Sequence, residues 1–153
     1  MNLKELHNLR NQILDISETN SLALNLCKDF KVGDVVMLKG ELGVGKTTLS
    51  RFIINNLYKI DNKSEPISIN SPTYPILLTY NLSSYQIYHY DLFRIKNLNQ
   101  LEELDFYENL HHTITLIEWP ELLIDIPFNQ NYYLINMNFY SETKRAIDVK
   151  FYK

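Results

Sequence analysis

The stretch Val35-Val36-Met37-Leu38-Lys39-Gly40-Glu41-Leu42-Gly43-Val44-Gly45-Lys46-Thr47-Thr48 decides the fold. Its first four residues form an unbroken apolar run, the pattern of a strand buried on both faces of a sheet. Gly40 to Thr47 then matches G-x-x-x-x-G-K-[ST] at every fixed position. From Thr48 the pattern turns helical, with Leu49, Phe52, Ile53 and Leu57 on one face and Arg51 and Asn55 off it. A buried strand, a glycine loop and an amphipathic helix, in that order, make a phosphate-binding loop. The N–H groups along Glu41, Leu42, Gly43, Val44, Gly45, Lys46, Thr47 and Thr48 wrap phosphate oxygens, and the helix N-terminus adds partial positive charge. Lys46 supplies a compact cation, and Thr47 a hydroxyl for Mg²⁺.

An eight-residue match can arise by chance, with Gly43 and Gly45 merely ending a strand. Glycine usage argues otherwise. The chain holds four glycines, where average usage gives about eleven in this length. Three of them, Gly40, Gly43 and Gly45, fall within six residues.

At 153 residues, 45% hydrophobic and 22% charged, the chain fits one globular domain, 1–153, rather than a disordered segment. No apolar run approaches the roughly 18 residues of a membrane span, so no membrane association is expected. Met1 to Asp15 has no uninterrupted apolar core and carries Glu5, unlike a signal peptide. One cysteine, Cys27, cannot pair within the chain, which fits a reducing cytoplasmic setting. A net charge of -3 and a pI near 5.8 argue against direct electrostatic binding of nucleic acid.

Outward from the loop, Gln12 to Ile16 reads as a strand, and Ser17 as the N-cap of a helix carrying Leu22, Ala23, Leu26 and Phe30. Gly33-Asp34 is a turn. Downstream of the loop's helix, Pro66 opens a strand Ile67-Ser68-Ile69. Strands Ile76–Tyr80 and Tyr85–Asp91 flank a turn, and Leu98, Leu101 and Leu104 suggest a short helix. Thr113 to Glu118 is a strand ended by Trp119-Pro120, and Tyr132–Tyr140 with Arg145–Phe151 forms a hairpin. The reading is α/β: a P-loop NTPase-like three-layer sandwich with a mixed sheet and antiparallel edge strands.

Two carboxylates, Asp91 and Glu118, end apolar strands, and strand C-terminal ends border the ligand crevice of an open α/β sheet. Beside a phosphate loop, either can hold the Mg²⁺ water shell while the other orients the attacking water; elsewhere both would be ordinary solvated acids. Thr73, in Ser71-Pro72-Thr73, occupies the place of a switch threonine contacting Mg²⁺ and γ-phosphate. Trp119 borders the same site as a nucleotide contact. His89, two residues before Asp91 on one strand face, is placed to orient that acid. His111 and His112 lack a third ligand and read as surface. Tyr88, Tyr90, Tyr132 and Tyr133 read as sheet packing.

GELGVGKTTLSR (Gly40 to Arg51), SPTY (Ser71 to Tyr74), HYDLFR (His89 to Arg94) and IEWPE (Ile117 to Glu121) follow one another in the order and spacing of the TsaE family, which this chain resembles over about residues 12 to 151. The resemblance implies a cytoplasmic Mg²⁺-dependent ATPase of bacterial tRNA threonylcarbamoyladenosine biosynthesis, with low activity alone. It implies ATP and Mg²⁺ as cofactors, Lys46 and Thr47 serving nucleotide and metal, and Asp91 and Glu118 needed for activity. It also implies two sugar-kinase-fold partners, TsaB-like and TsaD-like, with tRNA met only through them, and a monomer when isolated. Three departures stand out. Asp105 replaces a frequent Gly, Phe93 replaces a usual Tyr, and residues 1–10 form an extension of unassigned role.

Two other classes fit less well. A small-molecule kinase usually carries an arginine-rich lid, but Arg10, Arg51, Arg94 and Arg145 are scattered. A GTPase-type switch wants Asp-x-x-Gly after a strand, and Asp91-Leu92-Phe93-Arg94 lacks the glycine.

Overall fold

β2 (Val35–Gly40) is the middle strand of a seven-stranded sheet because its leading side chains bury on both sides. Val36 and Leu38 face one core, Val35 and Met37 the other. The structure, a computed structural model, describes residues 3–66 and 68–153. β5 (Thr113–Glu118) and β6 (Tyr132–Phe139) flank β2 in parallel, and β4 (Gln86–Asp91) adds a further parallel strand beyond β5. Antiparallel strands close both edges: β3 (Leu77–Asn81) on β4, then β7 (Arg145–Tyr152) on β6 and β1 (Asn8–Leu14) on β7. The order is β1-β7-β6-β2-β5-β4-β3, the expected mixed sheet with antiparallel edges.

Two helical layers cover the sheet. α2 (Ile16–Cys27) and α3 (Lys46–Ile60) set Leu22, Leu26, Leu49 and Ile53 over Val36, Leu38, Ile114 and Leu116. Each such side chain contributes about 1.5–3 kcal/mol on burial, before the ordering entropy is set against it. On the opposite face, α4 (Asn99–Glu102), α5 (Phe106–Asn109) and the chain to Leu123 cover Val35, Met37, Tyr90 and Ile117. The tyrosines pack as expected: Tyr90 meets Phe106 edge-on at 5.1 Å, and Tyr132 stacks on Tyr152 at 4.5 Å.

Several local readings need correction. The first strand ends at Leu14, and Asp15, not Ser17, caps α2. Asp15 accepts from the Glu18 N–H while Glu18 accepts from the Asp15 N–H, a reciprocal capping box that Ser17 cannot form. Ser68 and Ile69 belong to no strand, and Ile67 lies outside the described residues. The Ile69 carbonyl instead accepts from Arg51 Nε at 2.6 Å. α3 begins at Lys46, two residues before its apolar periodicity, and α5 follows α4 where one short helix was expected. The N-terminal extension joins the fold: α1 (Leu3–Leu6) and β1 place Leu6 and Leu9 in the core.

Candidate functional site

β5 and β4 end at one level and β2 runs two residues further, so Gly40, Glu118 and Asp91 lie at one rim of the sheet. Leu38 pairs with Glu118, and Glu118 with Asp91. Side chains alternate along a strand, so Leu116 and Glu118 share the α3 face of the sheet. α3 therefore lies directly over the carboxylate.

The loop between β2 and α3 needs glycine at two places for different reasons. Gly45 stands at the start of α3 with φ 117, a conformation that side chains resist. At Gly40 a Cβ would lie 2.5 Å from the Met137 carbonyl oxygen and 2.8 Å from Val44 Cγ1, so there is no room for one. Arg145 Nε donates to the Val44 carbonyl at 2.8 Å, tying the C-terminal hairpin to the loop.

Lys46 is 5% exposed, and its ammonium donates to the carbonyls of Gly40 (2.7 Å) and Glu41 (2.9 Å). Its Nζ also lies 3.8 Å from the centre of the Trp119 ring, a cation–π contact. Burial draws its pKa below the ordinary lysine value, against the opposing pull of Glu118, Glu121 and Asp91. Trp119 has φ 58, the left-handed region, where a bulky side chain costs roughly 1–3 kcal/mol and is held only by its surroundings. Those surroundings include Phe93, whose ring lies 4.8 Å from the indole.

Glu118 is 2% exposed and fully engaged. Thr47 Oγ1 donates to Oε2 at 2.9 Å, Ser50 Oγ to Oε1 at 3.2 Å, and His89 Nε2 bonds Oε1 at 2.8 Å. Asp91 belongs to a second set. Its Oδ2 accepts from Ser71 Oγ (3.0 Å) and Thr73 Oγ1 (3.3 Å), and its Oδ1 from the Phe93 N–H (2.9 Å). One carboxylate is thus joined to α3, the other to the Ser71-Pro72-Thr73 loop. His89 serves Glu118, not Asp91 as its strand spacing suggested.

Between the two sets lies a cleft of about 440 Å³. Leu42, Gly43, Gly45, Lys46, Thr47, Thr48, Thr73, Asp91, Glu118 and Trp119 line it, so most residues singled out in the sequence converge there. Val44 is buried behind the loop, and Glu41 faces a neighbouring groove. Arg51 and Arg94 also line the cleft. The sequence reading named both, as the ends of two motif segments and as scattered arginines, but gave neither a role; the fold brings these two to one cleft. His111 and His112 are exposed, as expected. Among the described residues no three His, Cys, Asp or Glu side chains form a ready metal cage. The donors facing the cleft are hydroxyl and carboxylate oxygens, the set that suits Mg²⁺ arriving with its own waters and phosphate oxygens.

The family model described as threonylcarbamoyl adenosine biosynthesis protein TsaE matches residues 13–147. The chain belongs to the TsaE family. The relative named tRNA threonylcarbamoyladenosine biosynthesis protein TsaE from Rickettsia felis is 38% identical over 135 residues, covering 86% of this chain and 74% of its own length. Its namesake from Rickettsia typhi is 34% identical, covering 87% of this chain and 88% of that one. The Bacillus subtilis protein of that name is 33% identical, covering 69% of this chain and 63% of that one. A crystal structure of YdiB from Bacillus subtilis superposes with a TM-score of 0.65 over 94% of this chain and 85% of that one, at 24% identity, which speaks to the fold.

Two departures from the TsaE pattern find a physical account. Asp105 has φ 51, so the position keeps a left-handed backbone that glycine adopts freely and aspartate tolerates. Phe93 presents its ring to Trp119.

Proposed function

We propose that the chain binds ATP with Mg²⁺ in this cleft and hydrolyses it, slowly alone and faster with partners, in support of threonylcarbamoyladenosine modification of tRNA. The observation that carries the reading is the bond from Thr47 Oγ1 to Glu118 Oε2. It joins the phosphate-loop hydroxyl to a strand-end carboxylate 71 residues away. A loop that only closed a strand would not require that link. The names borne by the relatives support the tRNA pathway, and the loop and its acids support the nucleotide chemistry.

In this reading Lys46 leaves the carbonyls of Gly40 and Glu41 for phosphate oxygens, while the loop N–H groups cradle the rest. Thr47, Glu118 and Asp91 would hold the metal and its waters. Mg²⁺, when bound, neutralises charge on the phosphates. Glu118 orients the attacking water and accepts its proton. Asp91 anchors Ser71 and Thr73, which face the terminal phosphate. Thr48 and Trp119 bound the nucleotide's pocket. The partners are two sugar-kinase-fold paralogues, TsaB-like and TsaD-like, and tRNA is met through them.

The test is ATP hydrolysis by the purified protein, alone and with both partners. Low basal turnover that rises strongly with the pair supports the reading. Absence of hydrolysis in the full mixture, or phosphoryl transfer to a small metabolite, would replace it.

A further inference from the structure

Glu118 is held asymmetrically. Ser50 and His89 both bond Oε1, and Thr47 alone bonds Oε2. Under the proposed reaction, on which this inference rests, the Thr47 hydroxyl would leave Glu118 to serve the metal. Oε2 then turns free toward the cleft, and the carboxylate keeps its place only through Oε1.

His89 is the stiffer of the two remaining anchors. It is 0% exposed, packed in β4 two residues from Ile87, which is also fully buried. Its Nε2 meets Oε1 at 2.8 Å, and its Nδ1 has no hydrogen-bond partner among the described residues. A carboxylate oxygen accepts, so Nε2 is the donor in this bond. An aliphatic side chain would bury in this core without an unused polar atom, so packing alone gives no reason for an imidazole here. Ser50, on a rotatable hydroxyl at 3.2 Å, is the longer bond.

We propose that His89 is a positioning residue: its Nε2–H fixes one oxygen of Glu118 so that the other is presented to the cleft throughout turnover. No atom of His89 need touch nucleotide or water.

The experiment compares His89→Leu with His89→Gln, whose amide N–H can reach the place of Nε2. With both partners present, His89→Leu is expected to lower kcat about 10- to 100-fold while the KM for ATP stays within about threefold, and His89→Gln to recover most of the loss. Equal losses in both variants, or a His89→Leu kcat within about threefold of wild type, would overturn the proposal. Imidazole ¹⁵N shifts of the wild-type protein give a second readout that does not depend on the variants folding. A proton on Nε2 is expected, and a proton on Nδ1 alone overturns the assignment. Failure of the wild type to hydrolyse ATP with its partners would instead overturn the functional reading itself, which separates the two failures.

Discussion

Replacing Glu118 by Gln separates charge from shape at the centre of the site. The wild-type carboxylate accepts from Thr47, Ser50 and His89. In Glu118→Gln the amide oxygen can keep the Oε1 place, against His89 and Ser50. The NH₂ then faces Thr47, whose hydroxyl turns to accept. No donor is orphaned, but three charge-assisted bonds become neutral ones. Bonds to charged groups contribute about 1.5–3 kcal/mol and neutral ones about 0.5–1.5, and the lighter desolvation of an amide offsets part of the loss. The net cost is roughly 1–2 kcal/mol, a melting shift of about 2–8 °C for a chain of this size. Glu118→Ala, by contrast, strands the His89 N–H and opens a cavity, for about 3–5 kcal/mol. Turnover should respond far more than stability, since loss of a well-placed base typically lowers rate about 10²- to 10⁴-fold. Calorimetric melting, ATP titration and partner-stimulated phosphate release on the same preparations measure all three quantities. A Gln variant that binds ATP and turns it over within a few-fold of wild type would refute the catalytic role. One that unfolds as readily as Ala would refute the hydrogen-bond accounting.

Lys46→Ala should abolish ATP binding by calorimetric titration while leaving the melting temperature near wild type, because the ammonium's present partners are two loop carbonyls and a ring; retained affinity would remove the loop from the site. Asp105→Gly should raise stability by about 0.5–1 kcal/mol by relieving the left-handed backbone, a gain of about 1–4 °C in melting, and a loss would show the aspartate side chain to be needed. Asp29 has a depressed pKa: burial pushes it up, but hydrogen bonds from His7 and Tyr133 outweigh that. Its contribution is therefore present above the unfolded value near 3.9 and lost as pH falls through the lower folded value. Asp29→Asn should flatten the decline in stability below about pH 4, and a decline parallel to wild type in denaturant melts at pH 4 down to 2 would refute the assignment.

The centre of the fold was legible because Val35 to Leu38 bury on both faces and the glycines crowd one short loop. The loop motif therefore pointed to Lys46 and Thr47, and the strand ends to Asp91 and Glu118, and all four line the cleft. Readings failed where a contact crosses the chain or a cap competes with a pattern. Asp15 displaced Ser17 as the cap because Glu18 stands three residues after it, a local signal that the strand reading of Gln12 to Ile16 masked. At Ser68 and Ile69 short apolar spacing mimicked a strand, yet the sheet's edge there is β3 and Arg51 takes the Ile69 carbonyl. The partner of His89 could not be read from spacing, which links it to Asp91 on its own strand. Only the β4–β5 register and the closeness of α3 bring it to Glu118.

The tryptophan beside the phosphate-loop lysine has a practical use. The chain contains one tryptophan, and its indole lies 3.8 Å from the Lys46 ammonium. A ligand that draws this cation off the ring changes the local field at the protein's sole long-wavelength fluorophore. Emission from unlabelled protein therefore reports on a single distance, the one that separates an empty phosphate loop from an occupied one.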